Sequence, residues 1–279
     1  MGSALGRQWV RGGIQLMGFV GRDRARTEAA VRFCGAGRVL SVEDLAEAHV
    51  VVLAVGEPDL QAAVAACTKA PPRSCSLWLH TSGLHDLDVL DPLVPHGVRR
   101  GILHPAVPIP DALTGLRNLE HGPAVLTGDE NAMQLLRRLA ESLAMTSIPC
   151  ATGRRALYHA ACALAANGAT ALFGAVERLL GAHGGIDPAD QRLLGAALME
   201  RAVASCRREG PATALSGPVA RGDHATVQAH LGALGEVADA PRAAYLALMR
   251  EALMLARQRG LDAASVARIE ASLAGEAAR

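Results

Sequence analysis

Short aliphatic runs alternate with helix-like segments through the first 150 residues of this 279-residue chain, and then they stop. "HVVVLAV" (49–55) is the clearest run, being short, β-branched and continuous, as a strand buried on both faces must be. Ile14–Val20, Val39–Leu40, "CSLWLHTSG" (75–83), "RRGILHPAV" (99–107) and "GPAVLTG" (122–128) read as further strands. Between them, Leu5 and Trp9 mark one face of a short helix ended by Gly12 and Gly13. Helices follow at 24–34 and 58–70, and another from an Asp129 cap to about Leu143. Ser41 reads as an N-cap with Asp44 placed for a capping box. Such alternation predicts an α/β domain, a parallel sheet covered on both faces. From Arg154 the sequence is alanine-rich and helical in period, with more helices at 187–208, 223–235, 241–259 and 262–274. The predicted boundary leaves a sheet domain at 1–151 and an all-α domain at 152–279.

Composition narrows the function classes. A net charge of +1 and 3% aromatic residues give no footprint for nucleic acid. The longest aliphatic run, Val50–Val55, is too short to span a bilayer, so no membrane partner is expected. Lys69 is the single lysine; it stands beside Pro71 and Pro72 where a helix should end, a poor place for Schiff-base chemistry. Cys34, Cys67, Cys75, Cys150, Cys162 and Cys206 form no C-x-x-C pair, which suggests reduced thiols in the cytoplasm. His183, His224 and His230 show no metal-ligand spacing, and no metal is expected.

The opening "MGSALGRQWVRGGIQLMGFVGRDRAR" looks like the second half of a dinucleotide-binding unit. In that unit a strand enters G-x-G-x-x-G, whose glycines let the backbone approach the pyrophosphate and the helix pack on the sheet. Gly2, with Ser3 beside it, fits the third glycine; the first strand is missing from the sequence. Arg22 and Arg24 follow the next strand, where arginine suits the extra phosphate of NADP. Ala54, Val55 and Gly56 end the 49–55 run, and Thr81 and Ser82 end the next strand; both sets lie at the edge where open sheets bind ligands.

"LHTSG" (79–83), "GILHPAVPIP" (101–110), "YHAACALAANG" (158–168) and "LSGPVARGDHATVQAHLGAL" (215–234) together resemble a known family. It comprises prokaryotic Rossmann-like proteins with a C-terminal helical domain of unknown function. Its relatives are pyrroline-5-carboxylate reductase and the 6-phosphogluconate and 3-hydroxyisobutyrate dehydrogenases. The resemblance implies a Rossmann-like sheet domain followed by a 6-phosphogluconate-dehydrogenase-like helical domain, with NADP as cofactor. It also implies a homodimer through the helical domain. This sequence departs from the family in beginning at the helix, without the full glycine fingerprint.

The expected activity is an NADP-dependent reductase of a small carbonyl or imine compound held in the cleft between domains. A non-catalytic nucleotide-binding or interaction protein is the alternative, and a deazaflavin cofactor a third. Hydride chemistry needs a proton source near neutral pKa, which favours histidine. His104, at a strand end before a proline, is a candidate for the substrate pocket, while His80 reads as structural. His159, Ala163 and Asn167 follow i, i+4, i+8 spacing on the first helix of the second domain. In the related dehydrogenases that helix offers a lysine and an asparagine to the nicotinamide. Here Tyr158 or His159 would give the proton, and Asn167 would hold a substrate oxygen. Ser216 and Arg221, in the turn "LSGPVARGD", are candidates for substrate binding, with a salt bridge to Asp223 the other reading of Arg221.

Overall fold

The computed structural model describes residues 1–69, 76–237 and 239–275. Cys75, Pro71 and Pro72, and so the end of the 58–70 helix and the start of the 75–83 strand, lie outside the described residues. The chain forms two compact units, Met1–Leu164 and Ala165–Arg279.

The first unit begins with α1 (Gly2–Arg11), β1 (Gly18–Phe19), α2 (Arg24–Cys34) and β2 (Arg38–Val39). Next come β3 (Val50–Leu53), α3 (Leu60–Cys67), β4 (Leu77–His80) and β5 (Arg99–Pro105). It is completed by α4 (Ala112–Leu119), β6 (Pro123–Gly128), α5 (Met133–Ser142), β7 (Thr146–Pro149) and α6 (Arg155–Ala163). Five strands form one sheet in the order β3-β4-β5-β6-β7, and β1 pairs with β2 in a separate two-stranded ladder. The sheet is mostly parallel, but β6 runs antiparallel to β5, with Leu103 opposite Leu126. The expected parallel sheet holds for its other strand pairs. Two corrections concern extent. The strand expected over Ile14–Val20 is only two residues long, and β7 was not anticipated.

Strand periodicity explains the two covered faces. Leu77 and Leu79 of β4 join one core with Leu5, Trp9, Leu136 and Leu139. Trp78, between them, joins the opposite core with Val51, Leu53, Leu60 and Val64. Successive strand side chains point to opposite faces, so one four-residue strand ties both layers together. Each fully buried leucine adds about 1.5–3 kcal/mol. On α1, Leu5 and Trp9 are both buried, as the sequence suggests, and the Trp9 indole donates to the Leu139 carbonyl at 3.0 Å.

Local signals decide the helix ends. Ser41 and Asp44 exchange the two hydrogen bonds of a capping box, at 2.8 and 3.4 Å. Asp129 does not cap α5. Its carboxylate accepts from the Arg100 backbone N–H at 2.8 Å and pairs with the Arg100 guanidinium at 2.8 Å.

The second unit contains α7 (Ala169–His183), α8 (Pro188–Glu209), α9 (Pro211–Ala214), α10 (Pro218–Arg221), α11 (His224–Leu234), α12 (Asp239–Gln258) and α13 (Ala263–Gly275). No strand occurs among its described residues. Val219, Val227, Leu231, Leu253 and Ile269 form its core. Between α6 and α7 a π turn, Leu164–Gly168, interrupts the α-helical ladder. Arg155–His183 is long and apolar enough, by length and composition, to cross a bilayer. On α8, Leu193, Leu198 and Val203 are 68%, 61% and 68% exposed.

Candidate functional site

The carboxyl ends of β3, β4 and β5 lie at one edge of the sheet, because these three strands are parallel. Open α/β sheets bind their ligands at that edge. The first residue of α1 is there too: a Cβ on Gly2 would lie 3.4 Å from the Cβ of Ala54, just past β3. The start of α1 and Ala54 are therefore neighbours. Val55 and Gly56 are exposed.

Beyond β3, Glu57 ties two strand ends together. Its carboxylate accepts from the Ser82 hydroxyl and from the Gly83 N–H at 3.2 Å. Ser82 Oγ in turn accepts from the Leu84 and His85 N–H groups at 3.1 and 2.8 Å. His85 Nε2 donates to the Glu57 carbonyl at 3.2 Å. Thr81 is buried and its N–H donates to the Leu53 carbonyl at 3.2 Å. Thr81 and Ser82 thus have a defined shape before any ligand arrives. Neither Glu57 nor His85 was singled out from sequence, although "GEPD" marks the turn that carries Glu57.

His80 is a structural histidine, as expected. Its Nδ1 accepts from the Ser82 N–H at 3.2 Å and its Nε2 donates to the Asp86 carbonyl at 3.2 Å. That pattern fixes the neutral tautomer with hydrogen on Nε2. Burial lowers its pKa to about 4.

His104, on β5, meets α6. Its Nδ1 shares a 2.7 Å hydrogen bond with the Tyr158 hydroxyl, and the rings meet edge to face. His159 is also close, with ring centroids 6.4 Å apart. Burial and then the charge of Arg155 hold the His104 pKa down at about 4. His104 is therefore neutral at pH 7. Tyr158 moves the other way. Burial, then a hydrogen bond with Cys162, raises its pKa and keeps the phenol protonated. An open depression of about 650 Å³ is lined by Tyr158 with Cys150, Thr152, Gly153, Arg154 and Leu157.

Arg155, Tyr158 and His159 stand at i, i+3 and i+4 on α6 and share one face. Arg155 is 3% exposed. Its Nη2 donates to the Ser82 carbonyl at 3.0 Å, and its guanidinium lies 4.7 Å over the Tyr158 ring. Sequence reading missed Arg155, because an arginine at a helix start ordinarily faces water.

Gly83 explains how closely these groups meet. A Cβ there would lie 2.5 Å from His159 Nδ1 and 2.9 Å from His104 Nε2. Only glycine leaves both imidazoles in place.

The remaining candidates have surroundings of their own. Arg22 and Arg24 are both strongly exposed; Arg22 pairs with Asp59 at 2.8 Å and Arg24 with Glu28 at 2.9 Å. A depression of about 270 Å³ beside β1 is lined by Arg22 and by Arg26, not Arg24. Asn167 is exposed within the π turn. Bonding of the i→i+5 type breaks the α-helical phase, so spacing alone does not put Asn167 on the His159 face. Ser216 and Arg221 are exposed in the second unit. Asp223 caps α11 by accepting from Thr226 N–H at 3.1 Å. Among the described residues no cluster of three or more metal-ligating side chains occurs.

Comparison with known proteins agrees with this architecture. Residues 1–105 match the family described as Rossmann-like domain, and residues 122–252 match Domain of unknown function (DUF2520). No curated protein matches the chain. Among solved structures, a Thermotoga maritima protein superposes with a TM-score of 0.68 at 19% identity, over 91% of this chain and 96% of that one. A candidate NADP oxidoreductase from Bacteroides fragilis gives 0.67 at 17% identity, over 90% and 93%. Pyrroline carboxylate reductase of Plasmodium falciparum, solved with NADP bound, gives 0.56 at 15% identity, over 96% and 94%. The chain thus carries a Rossmann-like domain followed by a DUF2520 domain, on a fold that it shares with these proteins.

Proposed function

We propose that the protein is an NADP-dependent reductase of a small carbonyl or imine compound. The observation that carries this reading is the Tyr158–His104 hydrogen bond, set at the ligand-binding edge of a Rossmann-like sheet and beside an open depression. The residues fit a dinucleotide. The start of α1 lies against Ala54, where backbone N–H groups favour a pyrophosphate. Arg22 and Arg26 flank the depression beside β1, where a 2′-phosphate would pair with them.

When bound, the nicotinamide supplies the hydride. Tyr158 gives a proton to the substrate oxygen or nitrogen, and His104 holds the hydroxyl in position. Its elevated pKa keeps Tyr158 in the acid form, while the Arg155 charge over its ring favours the phenolate formed as the proton leaves. The Glu57 clamp keeps Thr81–Gly83 shaped for the nicotinamide end. The exposed leucines and valine of α8 are covered by a second copy of the chain in a homodimer.

Titration with NADPH and NADH, followed by NADPH oxidation against a panel of small aldehydes, ketones and cyclic imines, tests the reading. NADPH should bind at least tenfold more tightly than NADH, and one class of compound should be turned over. Failure to bind either nucleotide would overturn it.

A further inference from the structure

Among the described residues, no anion pairs with the permanent cation Arg155. The guanidinium cannot lose its proton in a protein. It is 3% exposed, and its partners are one carbonyl and one aromatic face. Nε and Nη1 are buried with no hydrogen-bond partner. The nearby histidines do not help, since His80 and His104 are neutral at pH 7. Glu57, the carboxylate of this cluster, is engaged by the Ser82 hydroxyl and the Gly83 N–H. His159 Nδ1, on the same face of α6, is likewise buried without a partner.

An unpaired buried charge and orphaned donors are costly. Proteins keep such strain where a ligand relieves it. The position is specific. Arg155 lies one helical turn from Tyr158, the residue that both covers the guanidinium and lines the open depression.

We infer that Arg155, with His159 beside it, binds a carboxylate of the substrate through its unpartnered Nε and Nη1, reached from the depression that Tyr158 lines. The inference rests on the reductase reading and narrows it. The reacting carbonyl or imine carbon then stands next to a carboxylate, as in a 2-oxo or 2-imino acid, within reach of the Tyr158 hydroxyl. Arg221, exposed on the second unit, is not needed for this contact.

The test uses the full chain and oxamate as probe, at constant ionic strength. Oxamate should raise the Tm of the wild type by roughly 3 °C or more at saturation. It should leave Arg155→Met unmoved. Arg155→Met alone should melt at or above the wild-type temperature, because it removes an uncompensated buried charge. Arg155→Lys should bind oxamate at least tenfold more weakly. If Arg155→Met melts lower and the wild type ignores oxamate, Arg155 is structural and the inference fails. It also fails if both proteins respond equally. In parallel, NADPH oxidation with 2-oxo acids is compared with that of the matching 2-oxo amides. Equal turnover of both by the wild type sinks the carboxylate site and leaves the reductase standing. Arginine-dependent oxamate binding without any NADPH binding does the reverse.

Discussion

Tyr158 is the residue whose protonation state matters most for the proposed chemistry. Tyr158→Phe keeps the ring over Arg155 and removes only the hydroxyl. It should lower kcat by about 10²-fold or more while NADPH affinity stays within about twofold. Unchanged single-turnover rates would remove Tyr158 from the mechanism. His80, buried, and His104, half-buried, make a separate prediction about stability. Their folded pKa values are near 4, below the unfolded value of 6.5. The unfolded chain therefore binds more protons between those values, so stability is retained above pH 6.5 and falls as pH drops toward 4. Between pH 7 and pH 5 each histidine should account for about 2 kcal/mol of that loss. Urea midpoints measured across this range should fall in the wild type, and less steeply in His80→Asn. Among single residues, His104, Tyr158 and His159 were legible from their places at a strand end and on a helix. Arg155 and Glu57 were not, because their roles come from Ser82 and Gly83, which are distant in sequence.

At the scale of elements, strand existence was readable but strand direction was not. β5 and β6 are buried on both faces, and such a run looks the same whichever way it points. The connection through α4 brings the chain back at the edge where β5 ended, and β6 pairs antiparallel. β7 is short and largely exposed, so it carried no aliphatic signal. Close packing then depends on particular residues. Gly101 and Gly128 face each other across β5 and β6, and the Leu136 side chain covers both. A Cβ on Gly101 would lie 2.9 Å from Leu136 Cδ2. Gly101→Ala should therefore cost about 1–3 kcal/mol by overpacking. A shift in the denaturation midpoint at constant m-value would show it, and no shift would mean that Leu136 can move aside. Capping shows the same limit: Ser41 and Asp44 pair locally as read, whereas Asp129 was claimed by Arg100 from another strand.

For the whole molecule, cofactor choice and assembly are open to direct measurement. Arg22→Ala combined with Arg26→Ala should weaken NADPH at least tenfold and leave NADH within about twofold. Equal loss for both nucleotides would remove these arginines from phosphate recognition. Leu198→Glu with Val203→Glu should turn a dimer into a monomer in sedimentation velocity, without loss of helical signal. The hydrophobic periods of the chain by themselves determined its architecture: strands between helices, then helices alone, with the ligand edge at the strand ends. Those periods are local, set by the two-residue and 3.6-residue repeats of the backbone. Tertiary structure alone decided that Arg155 is buried without a counter-charge among the described residues, that Glu57 clamps the Ser82 turn, and that His104 is neutral. Charge balance and dielectric depend on which side chains meet in space, and no repeat along the chain records that.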